Sequence, residues 1–275
     1  MSKVLVTGAS GFIGQALAKS MSDRHEVLCM SRRDPALDLP WIKGDFASFE
    51  DLRQLDHYSI DAVVHLAAVI GGCLERNGML VNVEGPRCLM RYLVDRGCRK
   101  FVMASSIAAV GFQSTEFRPL AVPISDEHPC FDRDGYGFSK YMMEEVTRYY
   151  WRQCDDIDVI NFRLASISPD EDLPPGRGIE PLGQWSLGTI TRMALSDAVR
   201  AFSLATEAPI KTGVRIMNAT APKAWVSKPV AEVLRNWWGE DVDVSHFEQL
   251  GHEYDSVFEV TRIREQLGFE AKLLP

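Results

Sequence analysis

Short apolar runs rich in β-branched residues alternate with longer amphipathic stretches through the first two-thirds of the chain. KVLVT (Lys3 to Thr7), EVLCM (Glu26 to Met30), WIK (Trp41 to Lys43), AVVHL (Ala62 to Leu66), FVMA (Phe101 to Ala104) and VINFRL (Val159 to Leu164) predict strands. Their apolar residues are consecutive rather than alternate, so both faces of each strand should be buried. Between them, stretches near 12–22, 48–55, 75–96 and 135–154 predict helices. Strands separated by helices predict an α/β fold with a doubly wound parallel sheet covered on both faces. From about Ser166 the pattern loosens into SPDEDLPPGRGIEPLGQW, rich in Pro, Gly and acid, which predicts a long loop of functional or disordered character. A helix (about Ser196 to Thr206), a strand (Gly213 to Ala219), a helix (about Pro229 to Trp238) and a final helix ending at LGF follow. Residues 1–165 are thus expected to form the core, and residues 166–275 a substrate-binding loop and small C-terminal lobe integrated with it.

The sequence has 275 residues, 46% of them hydrophobic and 25% charged, with a formal net charge of -8. That balance, with no long Lys/Arg cluster, argues against a nucleic-acid or anionic-membrane partner. The six cysteines lack C-x-x-C spacing, so neither a zinc site nor a disulfide framework is expected, and no metal is assigned. A reducing, cytoplasmic setting is the simplest fit. MSKVLVTG begins a strand almost at once, without a signal peptide's apolar run, and no stretch approaches the roughly 18 apolar residues that span a bilayer.

Gly8, Gly11 and Gly14 stand at G-x-x-G-x-x-G spacing between the first strand and first helix. Glycines there let the backbone turn sharply and approach a phosphate, and the helix N-terminus offers free N–H groups and positive dipole. The context points to a Rossmann fold binding a dinucleotide pyrophosphate, with Gly8, Ser10, Gly11, Phe12, Ile13 and Gly14 as candidate contacts. After the second strand the chain reads SRRD. Ser31, Arg32 and Arg33 occupy the place where an NAD site usually has its ribose-binding acid. Guanidinium groups pair well with a 2′-phosphate, which favours NADP, while Asp34 keeps NAD open. Asp45 and Phe46 follow the third strand and are candidate adenine contacts.

The motifs TGASGFIG, HLAA (65–68), SSIAAVG (105–111), YGFSK (136–140), FRLASISP and LSDAVRA, in this order, resemble the extended short-chain dehydrogenases/reductases of the epimerase/dehydratase group over most of the chain. The resemblance implies Ser106, Tyr136 and Lys140 as catalytic residues. Tyr136 would be the general acid/base, with a free phenol pKa near about 10 that needs lowering. Lys140, one helical turn on, would supply the positive charge favouring phenolate and bond the nicotinamide ribose. Ser106 would hydrogen-bond the substrate oxygen. Leu66, Ala67, Ala68 and Leu164 would line the cofactor, and Asn82 would help to order the site. His65 is read as a structural hydrogen bonder. Pairing of the helices near 75–96 and 135–154, as in relatives, implies a homodimer.

Departures narrow the chemistry. The Thr-Asp-Glu run common in dehydratases is replaced by Ser106-Ile107-Ala108, and the aromatic of many sugar-nucleotide epimerases by Val110. The 163–197 segment is short for enclosing a nucleotide-sugar. The layout is similar to uronate dehydrogenases and related sugar oxidoreductases, which implies Ser166 as a substrate hydroxyl contact and Arg177 as a carboxylate contact. Those enzymes, however, carry Asn-His where this chain has Ile107-Ala108, and they use NAD. The expectation is an NAD(P)-dependent oxidoreductase acting on a hydroxyl or carbonyl of a small, sugar-like substrate. The alternatives are a sugar or nucleotide-sugar epimerase with retained cofactor and a non-catalytic NADP sensor.

Overall fold

The computed structural model describes residues 1–111, 114–171, 176, 178 and 186–272. Seven parallel strands form the main sheet: β1 (Lys3–Thr7), β2 (Glu26–Ser31), β3 (Trp41–Lys43), β4 (Ala62–His65), β5 (Lys100–Ser106), β6 (Asp158–Leu164) and β9 (Gly213–Ala219), in the order β3-β2-β1-β4-β5-β6-β9. The chain winds outward from β1 in one direction and from β4 in the other, so a crevice opens at their carboxyl ends. Consecutive apolar residues serve opposite faces. Val4 and Val6 pack toward α1 (Phe12–Met21) and α7 (Leu195–Glu207), whereas Leu5 packs toward α4 (Gly85–Val94) and α5 (Gly135–Gln153).

The predicted strands all form, with ends shifted by one or two residues. The expected continuous helix at 75–96 is broken up. It starts as α3 (Glu75–Gly78), loosens into a π-helical stretch at Met79–Glu84 and tightens again into α4. Asn82 lies in the loosened stretch and is buried, with its amide bonded to both backbone groups of Val69 and to Ser139. The composition of the long loop concealed a short parallel pair, β7 (Ser166–Ser168) with β8 (Arg192–Ala194). β9, from the C-terminal region, completes the main sheet beside β6, and a third core joins Ile107 and Val110 to Leu234 and Phe247 of the lobe. The lobe is therefore anchored next to the carboxyl end of β5.

α5 runs for 19 residues and is capped by Asp134, whose carboxylate accepts from the N–H groups of Tyr136 and Gly137 at 2.7 and 3.1 Å. Its buried face carries Lys140, Met143, Glu144, Thr147 and Tyr150, a helical spacing of three and four. Glu144 and Arg163 are fully buried and paired through two bonds: Nε to Oε1 at 2.9 Å and Nη2 to Oε2 at 2.8 Å. Ser105 donates to the same carboxylate at 2.7 Å. Burying two charges costs several kcal/mol, which paired geometry offsets only while both partners remain.

Glu144→Ala is therefore expected to lower the unfolding free energy by about 3–5 kcal/mol, because Arg163 is left charged, buried and unpaired. The double variant Glu144→Leu/Arg163→Met removes both charges and should lose much less. Urea titrations decide: a single variant within about 1 kcal/mol of wild type would show that the pair does not hold the helix.

Candidate active site

The crevice is built from strand ends. Gly8, just past β1, has φ +72°, and a Cβ there would meet the Ala67 nitrogen at 2.6 Å. At Gly14 a Cβ would lie 2.2 Å from the Gly8 carbonyl oxygen. Any side chain at either position would fill the turn that brings the start of α1 to the crevice. Gly8, Gly11, Phe12, Ile13, Gly14, Leu66 and Ala68 line one end of a cavity of ≈620 Å³. Ser106, Tyr136, Lys140, Leu164 and Ser166 line the other end.

A second hollow of ≈360 Å³ shares Gly8, Gly11, Leu66 and Ala68 with the first. Its further lining includes Ser10, Ser31, Arg32, Arg33, Phe46 and Ala67. Both arginines are exposed, and the Ser31 hydroxyl donates to the Arg33 carbonyl at 2.6 Å. Asp34 is engaged locally, its carboxylate accepting from the Ala36 N–H at 2.7 Å. Asp45 is used in the same way: its carboxylate caps Ala47 and its N–H bonds Asp51, and it lines neither hollow. Asn82 also lies behind the lining. It ties the segment after β4 to α5 instead of facing the crevice. Arg177 lies outside the described residues.

Ser106 ends β5, and its hydroxyl accepts from the Ala108 N–H at 3.1 Å. Lys140 is buried and donates to the Ala104 carbonyl at 2.7 Å. Burial pushes its pKa down to about 8, and the Glu144 charge works against that fall. Burial likewise raises the Tyr136 phenol above its ordinary value, while a hydrogen bond with Ser106 pulls it down and the Cys73 and Asp134 charges push it up. The resemblance implied a phenol lowered by Lys140. In this structure desolvation dominates, and the Lys140 ammonium is bonded to a backbone carbonyl. His65 bonds Thr7 side chain to side chain at 2.7 Å across the β1–β4 register. Burial, then the Lys140 charge, pushes its pKa down to about 3, so it stays neutral and structural.

Sequence reasoning missed Cys73. Its charge would raise the pKa of both Tyr136 and Lys140, yet GGC carried no motif. It also missed Asp132, whose buried carboxylate oxygen packs where a Cβ on Gly137 would stand, at 2.0 Å. Desolvation raises that acid to about 6.

A family model described as the NAD dependent epimerase/dehydratase family matches residues 4–171. The dTDP-4-dehydro-6-deoxyglucose reductase of Escherichia coli is 28% identical over 163 residues, 53% of this chain and 50% of that protein. The D-erythronate dehydrogenase of Cupriavidus necator is 28% identical over 228 residues, 75% of this chain and 66% of that protein. The match to the first curated relatives spans about half of their length. Among solved structures, a short-chain dehydrogenase/reductase superfamily protein from Agrobacterium tumefaciens with bound NAD superposes with a TM-score of 0.73 at 20% identity, covering 99% of this chain and 93% of that one. At that identity the likeness shows the fold.

Lys140 releases its proton near pH 8 in the folded chain, against 10.5 for the ordinary group. Between these values the unfolded chain binds more protons, so this group makes stability rise with pH across the window. Relative to Lys140→Met, which has no such proton, wild type should gain up to about 3 kcal/mol from pH 8 to 10.5. Parallel pH dependence of the two proteins in denaturant titrations would rule this out.

Proposed function

The chain belongs to the NAD dependent epimerase/dehydratase family, and from that premise we propose that it is an NAD(P)-dependent oxidoreductase interconverting a hydroxyl and a carbonyl on a small, sugar-like substrate. One observation carries the reading: Ser106, Tyr136 and Lys140 line the same cavity as the glycine turn. The turn that a Cβ at Gly8 or Gly14 would fill, together with the start of α1, fits a pyrophosphate. A bound nicotinamide dinucleotide supplies the hydride donor or acceptor.

The protein's own residues handle the proton and the orientation. Tyr136, a phenol whose protonated form burial favours further, gives its proton to the substrate oxygen in the reductive direction and takes it back in the oxidative one. Ser106 hydrogen-bonds the same oxygen and holds it beside the phenol. Lys140 places a buried positive charge one helical turn away. Ser166, whose hydroxyl bonds the Gly188 carbonyl at 2.8 Å, lines the substrate end. Arg177 is proposed as a carboxylate contact on the sequence resemblance alone.

NADP is the proposed dinucleotide, on the strength of two exposed arginines at the second hollow and an Asp34 already engaged by its own turn. Six free cysteines support a reducing, cytoplasmic setting. Exposed Leu80 and Phe138, on the paired 79–84 and α5 segments, support a homodimer. Among the described residues no helix is long and apolar enough to cross a membrane.

The family's own description keeps one other reading in play, an epimerase that oxidises and re-reduces on retained cofactor. A panel of aldehydes, ketones and sugar acids with NADPH, NADP and NAD should show net turnover, and Tyr136→Phe should slow it by about 10²–10⁴ with dinucleotide binding retained. Cofactor that stays bound through gel filtration, with no net redox change on any carbonyl, would instead select the epimerase. Arg32→Ala should weaken NADP binding by about tenfold, the effect of losing one charge-assisted contact, and leave NAD unchanged. Preferential NAD binding that ignores the substitution would remove the NADP assignment.

A further inference from the structure

The C-terminal lobe holds a further cavity, ≈570 Å³, lined by residues separate from those of the crevice. Three of its lining side chains are His246, His252 and Asp255. They come together through local chain geometry. His246 lies in a 3₁₀ turn, Ser245–Glu248. From there the N–H of Gln249 bonds the carbonyl of His246, the N–H of His252 that of Gln249, and the N–H of Asp255 that of His252. Three successive turns of this kind fold the chain back so that both imidazoles reach one carboxylate oxygen. Asp255 Oδ2 stands 3.0 Å from His246 Nε2 and 2.6 Å from His252 Nδ1. All three donor atoms lie within 4.8 Å of one another.

We propose that His246, His252 and Asp255 form a binding site for a borderline divalent transition metal of the zinc class. Two imidazole nitrogens and one carboxylate oxygen are a donor set that suits such ions and is poor for magnesium or calcium. Tetrahedral coordination at about 2.1 Å separates neighbouring donors by about 3.4 Å, so the oxygen has to part from each imidazole by less than about 1 Å. The turns carrying the donors lie at the surface and can give by that much: Gln249, Leu250 and Gly251 are exposed. The carboxylate is held from behind. Lys223 donates to Asp255 Oδ1 at 2.6 Å, and an isolated antiparallel bridge joins the two residues. This turns Oδ2 toward the imidazoles, the part that outer partners of metal-binding carboxylates perform. Because the three side chains line the cavity, water from it completes the coordination. The cysteine-based reading of the sequence did not look for such a site, since H-x5-H-x-x-D is not a familiar ligand spacing.

The site rests on no assumption about the reaction, and its test needs no turnover. The full chain, stripped with EDTA and titrated with Zn²⁺ by calorimetry, should take up one equivalent per chain and show a rise in Tm that EDTA reverses. His246→Gln and His252→Gln should each weaken uptake by at least about tenfold, the lower end of what loss of even an outer partner costs. The His252 side chain is 46% exposed, so its replacement should leave circular dichroism unchanged. Co²⁺ is the second probe, independent of any variant: a nitrogen and oxygen site gives visible d–d bands without thiolate charge transfer, which separates it from the six cysteines. No zinc uptake, uptake at full strength in both histidine variants, or a cobalt spectrum dominated by thiolate bands overturns the proposal.

Discussion

The Glu144–Arg163 pair is the contact on which the geometry of the crevice depends. Ser105 and Arg163, both bonded to Glu144, sit opposite one another in the parallel register of β5 and β6. The next pair in that register is Ser106 and Leu164, two residues that line the cavity. Successive side chains on a strand point to opposite faces. Fixing Ser105 and Arg163 toward α5 therefore fixes Ser106 and Leu164 as well. On the helix side, Glu144 is one turn beyond Lys140, which is one turn beyond Tyr136. A helix held by three charge-assisted bonds to two strands cannot slide by a residue without unpairing buried charge.

The same pair reaches the C-terminal lobe. Arg163 Nη1 donates to the Asp126 carbonyl at 3.1 Å, and the Asp126 carboxylate accepts from the Asn218 N–H on β9 at 2.5 Å. Desolvation raises Asp126 to about 6. The carboxylate is thus strained electrostatically but satisfied by hydrogen bonding. Helix, central strands and the added strand β9 form one connected polar network. That explains why residues beyond 165 contribute to the core instead of folding as a separate body.

Much of this was legible in the sequence for identifiable physical reasons. Consecutive apolar runs gave the strands because a parallel sheet with covered faces leaves no polar alternation. The glycine triplet was readable because close backbone approach excludes any side chain, and the four-residue spacing of Tyr136 and Lys140 follows from the helix period. What stayed hidden depends on tertiary partners. Within the π-helical stretch Asn82 bonds Val69, a residue thirteen positions away, and no local propensity signals such a partner. β7 and β8 are three residues each, too short to show a period. Cys73 enters through the path of an irregular loop, and the local use of Asp34 and Asp45 depends on turn geometry that composition does not encode.

Burial also sets the electrostatic character of the proposed site. A general acid needs its proton on, and desolvation favours the protonated Tyr136 phenol. A general base needs the opposite: phenolate in a low-dielectric cavity is unfavourable unless a cation is close. Lys140, one helical turn away, is the proposed cation, yet burial has brought its own pKa down to about 8 and its ammonium bonds the Ala104 carbonyl. The Glu144 carboxylate works against that fall, raising the lysine pKa against desolvation. The glutamate that locks α5 in register thus also favours the charged form of Lys140. Under the proposed chemistry, the protonated resting state is poised for reduction. Running in the other direction has to work against the desolvation that disfavours the phenolate.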